Sequence, residues 1–380
     1  MIRKTKTLML ILLLTPSLAV AAAAEEPGGF NMPYGVTPTS HDVYDMHMLL
    51  FWVCTVIGAL VFAVMIWSLV FHRRARGAVA AKFSGHTRLE IVWTAIPALI
   101  LVAVAIPATR VLLAVNAHPH PYVTVDIHGS QWKWHYSYPD QGIAYYSNLK
   151  ADSRKASREH SGISPATVPY YLRDVDHPLV LPVGKDVRLR ITGDDVIHSW
   201  WVPQLGFKRD AIPGFINRAD IVIDKPGIYR GQCAELCGAG HGFMPIVVKA
   251  VSPAEFLAWV TQSKKAEAAE HESEQGPWTR QLAMTQGKKI FDSVCAACHQ
   301  LNGKGIPGVF PALDGSKIVN GPLAGHIKFV VHGSPRNPVM RPFGKEMNNR
   351  QLAAVLTYER NSWSNHTGDL VTPEEVEKAR

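Results

Sequence analysis

The stretch at 231–244 reads GQCAELCGAGHGFM, with Cys233 and Cys237 four apart, His241 four later and Met244 three after that. Thiolates and a thioether are soft donors, and imidazole suits copper, zinc and iron. Two Cys and two His make an ordinary structural zinc site, so zinc is the serious rival. The methionine favours copper, as does a Cys/His loop rich in glycine between strand-like segments. His198, upstream in DDVIHSWWVP, is the candidate fourth donor. A single blue-copper site needs only one cysteine; two cysteines at this spacing can instead each bridge two coppers. The glycines let such a loop wrap a metal without side-chain clashes. A disulfide is the plainer reading of a cysteine pair outside the cytoplasm, and the neighbouring His and Met count against it.

A second constellation is Cys295-Ala-Ala-Cys298-His299, the C-x-x-C-H pattern of covalent haem attachment. The cysteines form thioethers with the haem vinyl groups and His299 becomes the proximal iron ligand. A thioredoxin-like motif requires a βαβ context, which is missing here. Met340, in NPVMRPFG, is the candidate for the sixth ligand position. Methionine there raises the haem potential relative to a second histidine. His326 and His332 are rivals, both in the helical pattern that ends IKFVVHG.

Elements must bring these residues together. From Tyr122 the sequence YVTVDIHGSQWKWHYSY alternates as a strand does, and HPLVLPVG, DVRLRITG, ADIVIDKPGIYRG and MPIVVKAV follow, punctuated by Pro and Gly. This predicts an all-β antiparallel sandwich or barrel over 119–251. Residues 147–176 are polar and weakly periodic and read as a long insertion loop. SPAE at Ser252 is a capping box with Pro at the first helical position, so 252–276 reads as a helical linker. The remainder, 277–380, reads as a mainly helical domain.

The chain has 380 residues, 47% of them hydrophobic, and a formal net charge of +8. The first residues carry a basic start, an apolar run and small residues, which reads as a signal peptide over 1–24. Two apolar runs follow, 49–71 and 91–109, each close to the roughly 20 residues that cross a bilayer as a helix. They predict a transmembrane hairpin within 25–118, its helices at about 46–71 and 89–113. Between them lie Arg73, Arg74, Arg76, Lys82 and Arg88 and no acid. Positive loops stay cytoplasmic, so both metal-binding regions are expected on the outer side. Much of the basic charge serves topology, and nucleic-acid binding is not expected.

DVIHSWWVPQLGFKRDAIPG followed by GQCAELCGAGHGFM resembles subunit II of the A-type haem–copper cytochrome c oxidases, over about residues 40–250. The resemblance implies a two-helix hairpin carrying a cupredoxin domain with a binuclear copper A centre. It implies that Cys233 and Cys237 bridge both coppers, that His198 and His241 are terminal ligands, and that Met244 and the Glu235 carbonyl are weak ones. The Glu235 carboxylate would reach a magnesium ion shared with subunit I, and Asp210 lies in the family's loop near that ion. Trp132, in QWKW, stands where the family has an exposed aromatic residue for electron entry, whereas Trp134 reads as core. Glu90, in LEIVWTAIP, stands where the family has a glutamate at the mouth of a proton channel; an acid at a helix start favoured by the dipole is the plainer reading.

FDSVCAACH, FPALDGS, the methionine loop and QLAAVLTYERNSW resemble the small class I cytochromes c in order. That likeness implies that Pro311 accepts a hydrogen bond from His299 and fixes its orientation. The fusion resembles the caa3-type oxidases. The implied function is electron entry into a proton-pumping oxidase of the bacterial inner membrane: from a soluble or membrane-bound cytochrome c donor, through haem c and copper A, to haem a of subunit I. A nitric-oxide-reducing relative and a non-catalytic tethered carrier are the competing readings at this point.

Overall fold

The computed structural model describes residues 31–80, 82, 84–114, 120–157, 161–335, 340–344 and 346–380. The signal-peptide reading falls on 1–24, outside the described residues. Helix α1 spans Pro38–Phe71 and α2 spans Thr87–Ala114, and each is long and apolar enough to cross a membrane. Pro97 and Pro107 stay within α2. Helix α1 starts well before the expected residue 46. Thr37 and Ser40 form a reciprocal capping box with Pro38 at the first position, and the polar turn that follows hides this start from a reading based on apolar runs. Thr37 also donates to the Leu205 carbonyl at 2.9 Å. Gly206, in a left-handed conformation with φ of 76°, lets the chain pass so close that a Cβ there would meet Ser40. The outer end of the hairpin is thereby fixed to the β domain.

That domain is a sandwich of two five-stranded sheets among the described residues. Its elements run β1 (Val123–Ser130), β2 (Lys133–Tyr138), β3 (Ile143–Ser147), the short helix α3 (Ala151–Ala156), β4 (Leu179–Pro182), β5 (Val187–Gly193), β6 (His198–Val202), β7 (Phe207–Ala211), β8 (Asn217–Ile221), β9 (Gly227–Cys233) and β10 (Pro245–Val251). One sheet is ordered β3-β2-β1-β5-β8 and the other β4-β10-β9-β6-β7. The alternation in β1 is realised in three dimensions: Val123, Val125 and Ile127 are fully buried between the sheets. The sheets are mixed, not purely antiparallel, because β1 pairs parallel with β5 and β10 parallel with β4. Long connections between those strands make parallel pairing possible. The 147–176 segment contains α3 where a loop was expected, and Asp210 lies on strand β7, not in a loop.

Ser252 caps helix α4 (Pro253–Gln275), and Glu255 completes the capping box. Phe256 and Trp259, on its first turns, pack against Tyr138 of β2. Beyond it come α5 (Arg280–Ile290), α6 (Ala296–His299), α7 (Leu323–His332), α8 (Asn349–Arg360) and α9 (Pro373–Glu377). A π-type widening over Phe291–Cys295 joins α5 to α6. Helices α5 and α8 cross at Gly287, where a Cβ would stand 2.1 Å from the Ala354 carbonyl oxygen. This crossing holds the segment that carries Cys295, Cys298 and His299.

Candidate metal centres

Strand β9 ends on Cys233, and the loop to β10 carries Cys237 and His241. Strand β6 begins on His198, and β6 and β9 are neighbours, with Trp200 opposite Cys233. Two adjacent strands thus bring distant donors together. The nitrogen of His198 and the sulfurs of Cys233 and Cys237 all lie within 4.8 Å of one another. The two sulfurs are 3.8 Å apart, far beyond the roughly 2.05 Å of a disulfide, and both cysteines are free and buried. His241 adds its Nδ1 at 3.6 Å from the Cys237 sulfur. The Glu235 carbonyl oxygen is 3.4 Å from the Cys233 sulfur. Met244 is buried, and its backbone carbonyl accepts the Cys233 amide at 3.1 Å, which zips the two ends of the loop together. The Glu235 side chain is exposed.

The donor set fits a metal on an observation independent of motif. His198 is fully buried, and its Nε2 is 2.9 Å from Asp195 Oδ1, which fixes the tautomer. Its other nitrogen, Nδ1, is buried with no hydrogen-bond partner among the described residues. A buried unpaired ring nitrogen is costly, and here it sits beside two unbonded sulfurs. The hydrogen bond from Cys237 holds the Cys233 thiol far below its usual range, with help from His198 and against burial. Burial opposes protonation of His198, but Asp195 and Cys233 outweigh it and raise its pKa. Asp195 also accepts the Gln131 amide at 2.8 Å. Asp195 stands three residues before His198, a spacing that marks it as a ring-orienting acid in the sequence.

Cys295, Cys298, His299 and Met340 line one cleft of the C-terminal domain, together with apolar residues such as Phe343 and Val355. His299 Nδ1 donates to the Pro311 carbonyl at 2.9 Å, as expected. That bond leaves Nε2 free to bind iron. Of the rival histidines, His332 donates its Nε2–H to the Ala379 carbonyl at 2.8 Å, whereas His326, with Nε2 3.0 Å from Glu359, lines the same cleft and keeps its Nδ1 buried with no partner among the described residues. Two free thiols, an oriented imidazole and a thioether around an apolar cleft fit a covalently held haem.

Trp132 departs from expectation. It is only 5% exposed, because Phe310 of the C-terminal domain packs against it edge-on, with ring centroids 5.4 Å apart. Its indole N–H donates to the Cys237 carbonyl at 3.1 Å. Trp132 therefore bridges the copper-type loop and the residue next to Pro311. Phe310 went unnoticed in the sequence because its contact is long-range. Trp134 is fully buried core, as expected. Asp210 accepts a hydrogen bond from the Ser199 hydroxyl at 2.8 Å. Glu90 lies apart from all of these, in the first turn of α2, and accepts the His86 amide at 3.2 Å.

Comparison with known proteins places the chain among described families. The family model described as cytochrome C oxidase subunit II, transmembrane domain, matches residues 25–111, and the one for its periplasmic domain matches 123–251. Residues 282–358 match the model described as cytochrome C oxidase, cbb3-type, subunit III. A probable cytochrome c oxidase subunit 2 of Rickettsia bellii is 38% identical over 63% of this chain and 85% of its own length. The cytochrome c oxidase subunit 2 of Artemia franciscana is 42% identical over 45% of this chain and 72% of its own. The crystal structure of the periplasmic domain of subunit II of cytochrome oxidase of Bradyrhizobium japonicum is 37% identical, covering 39% of this chain and 97% of that one, with a TM-score of 0.33. With hairpin, cupredoxin sandwich and C-terminal cytochrome c domain in one polypeptide, the chain belongs to the cytochrome c oxidase subunit II family.

Proposed function

We propose that the protein is the electron-entry subunit of a respiratory oxidase in the bacterial inner membrane, with both metal-binding domains on the periplasmic side. The observation that carries this reading is the unpartnered, buried Nδ1 of His198 beside the unbonded sulfurs of Cys233 and Cys237. Bound copper A and haem c would supply one-electron chemistry in series, between a cytochrome c donor and haem a of subunit I, where oxygen reduction is coupled to proton translocation.

The chain's own residues prepare these sites. Cys233 and Cys237 would bridge two coppers, with His198, His241, Met244 and the Glu235 carbonyl completing the set. Asp195 holds the His198 ring, and Pro311 holds His299. Cys295 and Cys298 would carry the thioethers, and Met340 would supply the sixth ligand. Trp132 ties the copper loop to the seam with the cytochrome domain through Cys237. The exposed Glu235 carboxylate is available for a magnesium ion shared with subunit I. Glu90 opens α2 on the cytoplasmic side, a suitable place for admitting protons to subunit I.

Mild-detergent purification of the complex through a tag on this chain tests the reading. Haem a co-purifying with subunit I, together with oxygen uptake driven by a reduced cytochrome c, is the expected result. A complex that lacks haem a, or reduces nitric oxide but not oxygen, would contradict it.

A further inference from the structure

Lys133 belongs to strand β2 of the copper domain, next to Trp132, yet it reaches into the other domain. Its side chain is buried, and its ammonium donates to the Val294 carbonyl at 3.2 Å, immediately before Cys295. It lines the same cleft as Cys295, Cys298, His299 and Met340. Its other polar neighbour is the Tyr146 ring, 5.3 Å from the nitrogen to the centroid. Among the described residues no carboxylate lies within ion-pairing distance of it. A second cation, Arg341, lines the cleft as well; it pairs with Glu346 at 2.9 Å and leaves its Nη2 buried and without a partner. Burial pushes the Lys133 pKa down, and Arg341 adds to the effect.

With no carboxylate paired to it among the described residues, Lys133 is costly to keep charged unless the cleft's occupant offsets that cost. We propose that Lys133, although part of the copper domain, belongs to the haem environment and biases the bound haem toward its reduced state. The inference rests on the covalent-haem reading of the cleft. Accepting one electron from an external donor lowers the haem's charge by one. A neighbouring cation favours that outcome, and more strongly in a low-dielectric cleft than in water. Because Lys133 sits on the strand that follows Trp132, the bias exists only while the two domains are in contact. The haem then holds an electron most readily while Phe310 is in contact with Trp132.

Spectroelectrochemical titration of the haem in the purified full-length protein tests this. Lys133→Gln keeps an amide donor for the Val294 carbonyl but removes the charge; Lys133→Arg keeps the charge. At the wild-type midpoint the glutamine variant should show about a tenfold lower ratio of reduced to oxidised haem, equivalent to about 59 mV for one electron. The arginine variant should stay within about twofold of wild type, by the same one-electron relation. If the glutamine variant does not accumulate, Lys133→Met gives the same readout with an uncharged side chain of similar length. An unmoved midpoint in an uncharged variant that retains its haem overturns the proposal and leaves the haem reading standing. A protein whose denatured spectrum shows no covalently bound haem overturns both.

Discussion

Cys237 is the residue on which the copper assignment turns. Its sulfur is 3.8 Å from that of Cys233 and 3.6 Å from His241 Nδ1. A neutral serine hydroxyl is a harder and weaker donor than a thiolate. Cys237→Ser is therefore expected to abolish the paramagnetic-resonance signal of an electron shared over two coppers; a surviving signal would refute the bridging role. Met340→His should retain the haem and lower its potential, because methionine raises it relative to histidine. An unchanged midpoint would remove Met340 and bring back His326, which lines the same cleft. Most candidate ligands are legible because they are packed into short motifs: every proposed copper donor but His198 lies within 231–244, and Cys295, Cys298 and His299 within five residues. Lys133 and Phe310 are not. Lys133 meets its partner 161 residues away, a pairing that periodicity cannot reveal.

Helix α5 against α8 is the contact that holds the segment carrying Cys295, Cys298 and His299. Gly287 is buried at their crossing, with the Ala354 carbonyl oxygen where a Cβ would go. Gly287→Ala should destabilise the C-terminal domain by about 1–3 kcal/mol through overpacking. Gly325, exposed on α7 with open space around it, is the control: Gly325→Ala should be neutral or stabilise by up to about 1 kcal/mol. Thermal unfolding followed by helical dichroism and haem absorbance checks both. Equal effects at the two sites would mean that the crossing is not close-packed. The reach of each element was harder to read than its type. Strand alternation and the Ser252 capping box announced themselves, whereas α1 begins on a polar turn that carries no hydropathy signal. The parallel pairs β1–β5 and β4–β10 depend on long connections and leave no trace in local pattern.

The hairpin, the sandwich and the cytochrome domain form one chain in which the two candidate centres face a common seam. Phe310 covers Trp132, and Lys133 crosses to Val294. Trp132, the proposed aromatic entry residue, is thus covered by Phe310 of the same chain, which has no local signature in the sequence because the burial comes from another domain. Orientation in the membrane follows from Arg73, Arg74 and Arg76 between α1 and α2. Trypsin added to the outer face should leave these bonds intact, and trypsin added to inverted vesicles should cut them; the opposite pattern would reverse the topology.

The most direct test of the whole account is the metal content of the purified full-length protein after maturation, read together with its optical and paramagnetic-resonance spectra. Two coppers sharing one unpaired electron and one covalently bound haem per chain are predicted. Zinc at the paired sulfurs of Cys233 and Cys237, or no metal there at all, would contradict it.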